Sequence, residues 1–91
     1  MLRLVTIDLT QADLPAFERY EAEVLALAPK YGGRLEFRVR ALDGSREIHL
    51  LYFPSDEAFE RFRSDPARIE AQKHWSDIGA ISSVTIVEEV P

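Results

Sequence analysis

Residues 34–53 read RLEFRVRALDGSREIHLLYF, and this stretch decides the fold. Its first half alternates: Leu35, Phe37, Val39 and Ala41 make one apolar face, and Arg34, Glu36, Arg38 and Arg40 make a charged one. One greasy and one charged side is the pattern of an edge strand. Asp43-Gly44 is a turn signal. The second half carries Leu50 and Tyr52 on one face and Leu51 and Phe53 on the other, which marks a strand covered on both sides. A two-residue loop at Asp43-Gly44 sets Arg40 opposite Glu47 and Arg38 opposite His49. A four-residue loop shifts the register by two and keeps the faces, whereas a three-residue loop flips them.

Working outward, residues 2–9, LRLVTIDL, are apolar on both faces and form a second central strand. Asp13 is a helix N-cap, with Pro15 in the first turn, where a missing N–H does no harm. Leu14, Phe17, Val24, Leu27 and Ala28 recur at helical spacing, with Glu18, Glu21 and Glu23 as wet surface. Pro29 loosens that helix and Gly32-Gly33 stops it. Ser55 caps a second helix with Ala58, Phe59 and Phe62 as its buried stripe. Asp65-Pro66 restarts it, and the helix runs to about Ser76. Residues 81–90, ISSVTIVEEV, have the composition of a last strand.

The order β-α-β-β-α-β, with the first and third strands central, predicts a ferredoxin-like α+β fold. It has a four-stranded antiparallel sheet and two helices on one face. Ninety-one residues make one domain, 1–91. Two helices cover one sheet face only, and the other carries apolar side chains worth roughly 1.5–3 kcal/mol each when buried. A homodimer packed sheet against sheet is therefore expected, with Arg38 and His49 enclosed between the sheets as the polar lining of a pocket.

The chain is 46% hydrophobic and 30% charged, has no Cys, and carries a net charge of -5. Disorder, a disulfide scaffold and a thiol nucleophile are excluded, and nucleic acid and anionic membrane are poor electrostatic matches. Met1 leads straight into the first strand and no apolar run has spanning length, so a cytoplasmic location is expected. Neither metal nor cofactor is expected: the two histidines lie far apart, and no phosphate loop, dinucleotide fingerprint or nucleophile elbow is present.

Tyr31-Gly32-Gly33-Arg34, then Phe53-Pro54-Ser55 with Glu57-Ala58, then Ser64-Asp65-Pro66, resemble the motifs of a family of small bacterial proteins of unknown function. That family belongs to the dimeric α+β barrel superfamily. The resemblance spans the first strand to about residue 88. It implies a homodimer enclosing a barrel, in a superfamily that includes cofactor-free antibiotic-biosynthesis monooxygenases. It implies no catalytic residue.

The residues themselves nominate candidates. His49 titrates near neutral pH and, beside a cationic Arg38, is a neutral general base. Arg38 is then the oxyanion stabiliser of a cofactor-independent monooxygenase, isomerase or decarboxylase. Arg34, Arg38 and Arg40 form a basic stripe that suits a small anion, with an Arg40–Glu47 cross-strand pair as the plainer role. Asp8, Tyr52, His74 and Trp75 complete the ligand-binding candidates, and Tyr20 and Tyr31 are assigned mainly to packing. The leading functional reading is a dimeric barrel that binds a small apolar or anionic metabolite. The enzyme is the alternative, and a purely structural oligomer the third reading.

Overall fold

A computed structural model describes residues 1–91. Strands β1 (Leu2–Asp8), β2 (Arg34–Arg40), β3 (Arg46–Tyr52) and β4 (Ile81–Val87) form one sheet in the order β2-β3-β1-β4. Every pairing is antiparallel. The two strands with apolar centres on both faces are the inner ones, as the sequence pattern requires. Helix α1 (Leu14–Leu25) links β1 to β2. Helices α2 (Asp56–Arg63), α3 (Pro66–Gln72) and α4 (Trp75–Ile78) link β3 to β4. This is the ferredoxin-like α+β fold.

The caps lie where the sequence sets them. Asp13 accepts from the Ala16 amide at 3.2 Å, Ser55 from Ala58 at 3.0 Å and Asp65 from Ala67 at 2.8 Å, each satisfying an orphan donor of the first turn. The ends differ more. Helix α1 stops at Leu25, and a separate 3-10 turn spans Ala28–Tyr31. The second helical stretch breaks after Gln72 and resumes at Trp75. Strand β4 ends at Val87 rather than at residue 90, because Leu2, its partner there, is the first residue of β1.

Two expectations about β2 and β3 are corrected. Arg40 pairs with Glu47 and Arg38 with His49, the register of the two-residue loop, but the pairing skips between Leu35 and Phe37. This bulge at Glu36 adds a residue and reverses the parity of the strand before it. Arg34 therefore leaves the basic stripe and lies 4.1 Å over the Tyr52 ring, on the opposite face from Arg38 and Arg40.

The second correction concerns the helices. They cover the face that carries Arg3, Val5, Ile7, Glu47, His49 and Leu51, not the opposite one. Ile7, Phe17, Leu51, Phe53, Ala58 and Phe62 form the buried centre of the core there. Alternation along β3 from Leu51 carries His49 and Glu47 inward with them. The bare face displays Leu4, Leu50 and Ile48 half-buried, with Phe37 and Val39 exposed at the β2 edge.

The motif residues of the resemblance meet at one place behind this core. A Cβ on Gly33 would lie 2.4 Å from the Phe53 ring, and Gly32, at φ +76°, packs against Pro54. Tyr31 donates its hydroxyl to Asp65, which also accepts from Lys30 at 3.1 Å. These contacts lock the end of the first crossover to the start of the second. Their role is architectural.

Candidate functional site

Between the sheet and helices α1, α2 and α3 lies an open cavity of about 690 Å3. Its wall is largely apolar: Val5, Leu51, Val24, Phe59, Trp75 and Ile86 contribute, with Tyr20 stacked obliquely on Trp75 at 4.9 Å. Such a volume matches ligand pockets generally. Set into this wall are His49, Glu21, Arg3, Arg68 and Gln72.

His49 is 2% exposed and Glu47 1%. The imidazole Nε2 lies 2.5 Å from Glu47 Oε2. Glu47 is further held by Arg38 Nε at 2.9 Å and by Arg40 Nε at 2.9 Å and Nη2 at 2.6 Å. Both arginines also reach Glu18 on α1. A charge buried this deeply requires partners on all sides, and the cross-strand register supplies them. Burial opposes the Glu47 charge, but the hydrogen bonds from His49, Arg38 and Arg40 prevail and hold its carboxyl below the usual range.

Burial likewise lowers the pKa of His49, against the opposing attraction of Glu47. Neutral imidazole beside an ionised carboxylate places its proton on Nε2, which donates to Glu47. Nδ1 is then the acceptor, and it faces Glu21 Oε2 at 3.9 Å, beyond hydrogen-bond range. Glu21 is not wet surface. It is 6% exposed, and burial, with Glu47 and Glu18 adding to it against Arg38 and Arg68, pushes its carboxyl up to about 7. The site thus places a neutral, oriented base and a carboxyl of near-neutral pKa side by side in the cavity wall.

The other candidates divide. Trp75 lines the cavity. Arg38 and Arg40 stand behind it, committed to Glu47, so neither places a donor in the cavity. Arg38, expected as the oxyanion group, has its Nε and Nη2 engaged with Glu47 and Glu18 instead. Asp8 accepts from the Thr10 amide at 2.9 Å and hydroxyl at 2.7 Å, which turns the chain out of β1 and holds its pKa down. Tyr52 is on the bare face under Arg34. His74 is exposed and lines a separate cavity of about 390 Å3 beside Arg19 and Asp77. No group of three or more His, Asp or Glu side chains is gathered in a metal-binding arrangement.

Sequence reasoning missed Arg3, Glu21 and Arg68. For Glu21 a signal existed: it follows Phe17 by four and precedes Val24 by three, inside the apolar stripe.

No protein-family model and no curated protein sequence matches the chain, so the motif family is not supported by that route. Among solved structures, the chain is similar to SnoaB from Streptomyces nogalater, a cofactor-independent oxygenase. The TM-score is 0.72 at 13% identity, covering 98% of this chain and 94% of that one. It is also similar to a candidate antibiotic biosynthesis monooxygenase from Nitrosomonas europaea, with TM-score 0.70, 10% identity and coverage of 96% and 98%. An uncharacterized NIPSNAP domain protein from Burkholderia xenovorans matches at TM-score 0.65 and 16% identity, over 97% and 95%. Identities this low show a shared fold, the ferredoxin-like α+β fold, and nothing finer.

Proposed function

We propose that this chain is a cofactor-independent enzyme that binds a small, largely apolar metabolite in the cavity and uses His49 as a general base. The observation that carries this reading is the buried Glu47–His49 pair, with Nδ1 turned towards Glu21. Glu47 fixes the tautomer and stabilises the imidazolium that forms when Nδ1 accepts a proton. Proton removal from a carbon or oxygen acid leaves a carbanion or enolate. That step is common to isomerases and to oxygenases whose substrate anion reacts directly with dioxygen. The fold shared with a cofactor-independent oxygenase supports the second class.

The open cavity speaks against a purely structural role, since a barrel filled by its own side chains would leave no such space. A binding protein without turnover would keep the cavity but make no use of the dyad. We further infer that a second copy covers the bare sheet face, where Phe37 and Val39 are 42% and 51% exposed.

The test is solvent deuterium exchange into weakly acidic aromatic ketones, followed by proton NMR. Catalysed exchange is expected for the native protein, with a loss of about 10²–10⁴-fold in His49→Gln. Binding of the ketones without exchange would leave a binding module and remove the catalytic reading.

A further inference from the structure

Arg3 stands on the inward face of β1 and is 4% exposed. Its Nη2 donates to Asp56 Oδ1 at 2.7 Å, and the guanidinium lies 3.9 Å over the Phe59 ring. Its Nη1 is buried and has no hydrogen-bond partner. Arg68 repeats the situation from α3. Its Nη1 donates to the Arg63 carbonyl at 3.2 Å, while Nε is buried and unpartnered. Both side chains line the same cavity as His49. Elsewhere the chain satisfies its buried side-chain polar atoms, so these two nitrogens are its exceptions. An unmet buried donor on a charged group is costly, and native proteins rarely leave one.

The charge balance points the same way. Arg3, Arg63 and Arg68 line the cavity with Glu21 and Glu60; Asp56 pairs with Arg3 and Glu60 with Arg63, which leaves Arg68 without an ion-pair partner. Asp56 takes Nη2 of the Arg3 guanidinium and leaves Nη1 free. A guanidinium edge is matched in shape by a carboxylate. The remaining wall, Phe59, Trp75, Val24 and Ile86 among it, suits a ring or a short apolar chain.

We propose that Arg3 and Arg68 form a carboxylate-binding subsite, so that the ligand of this cavity is a small, mostly apolar, ring-bearing monocarboxylate. This deepens the reading of the cavity given above and rests on it. The carboxylate is held by Arg3 and Arg68, and the acidic atom is presented to His49.

The experiment is calorimetric titration of the full chain with naphthoate and with its neutral counterpart naphthylmethanol. Native protein is expected to bind naphthoate at least about tenfold more tightly, the value of one charge-assisted hydrogen bond. Arg3→Met keeps an unbranched apolar side chain but removes the guanidinium from over Phe59, and is expected to abolish that preference by weakening naphthoate far more than the alcohol. Arg68→Met, at a half-buried helical position, is expected to reduce the preference as well and covers the case of an unfolded Arg3→Met. Equal binding of the two probes by native protein overturns the subsite. So does a preference intact in both folded variants, or no binding of either probe at about 10 mM. His49→Gln is expected to retain the preference. Loss of the preference with His49-dependent exchange intact would remove this subsite and leave the general base standing.

Discussion

Glu47 Oε2 sits 2.5 Å from His49 Nε2, and both side chains are buried between the sheet and the helices. Their separation by two positions on β3 puts them on one face. The cross-strand partners Arg38 and Arg40 close the far side of the carboxylate. A buried anion with three donors is destabilising once its charge is removed and theirs remain. Glu47→Gln is expected to lower stability by about 3–5 kcal/mol in urea unfolding. A loss under about 1 kcal/mol would mean that the arginines are satisfied without it.

Glu21 gives a pH signature of definite sign. Burial raises its carboxyl from 4.5 to about 7, so between these values the native state holds a proton that the unfolded state has released. Stability from this group therefore falls as pH rises from about 4.5 to 7 and is level above. Relative to Glu21→Gln, the native protein is expected to lose about 3 kcal/mol across that window. Parallel stability curves for the two proteins would show that Glu21 ionises freely.

The cluster at Asp65 behaves oppositely. The Tyr31 hydroxyl, then Lys30 and the Ala67 amide, hold its carboxyl down to about 2. Stability from this group is present above pH 3.8 and is lost as pH falls through about 2. Tyr31→Phe is expected to be less stable than native protein above about pH 4, with the difference vanishing towards pH 2. No difference at any pH would assign Tyr31 to packing against Phe62 alone.

Gly33→Ala tests the same junction sterically. The added Cβ would meet three carbons of the buried Phe53 ring, and overpacking of a core typically costs about 1–3 kcal/mol. A thermal unfolding midpoint within about 2 °C of native would show that the ring yields freely.

For the bare sheet face, sedimentation of the native chain at micromolar concentration is expected to give twice its 10.4 kDa mass. Phe37→Glu, at an exposed position of the edge strand, is expected to give the monomer without unfolding it. A native species of 10.4 kDa would leave that face to solvent.

The element order, the inner and outer strands, and the three capping residues were legible because they follow from periodicity and local chemistry. Which face the helices cover was not. β1 and β3 are apolar on both sides, so alternation groups His49 with Leu51 and Glu47 but leaves open the face they share. The bulge at Glu36 has no marker such as Gly, and it alone moves Arg34 out of the arginine stripe. Arg3 is hidden for a related reason, since a single charge among Leu2, Leu4 and Val5 reads as an interruption of a strand. Its meaning depends on a helix more than fifty residues away that supplies Asp56 and Phe59. The consequence for the site is specific: its polar groups lie between the sheet and the helices of this chain, and not on the bare face of the sheet.

The state of His49 itself is the most direct measure of the proposed chemistry. Nitrogen-15 NMR of the imidazole across pH 5–8 resolves its charge and its tautomer. A neutral ring at pH 7, protonated on Nε2, with a pKa below the ordinary 6.5, is the expected result. Its Nδ1 resonance is expected to move when a ligand enters the cavity. An imidazolium at pH 7, or a proton resident on Nδ1, would contradict His49 as the base.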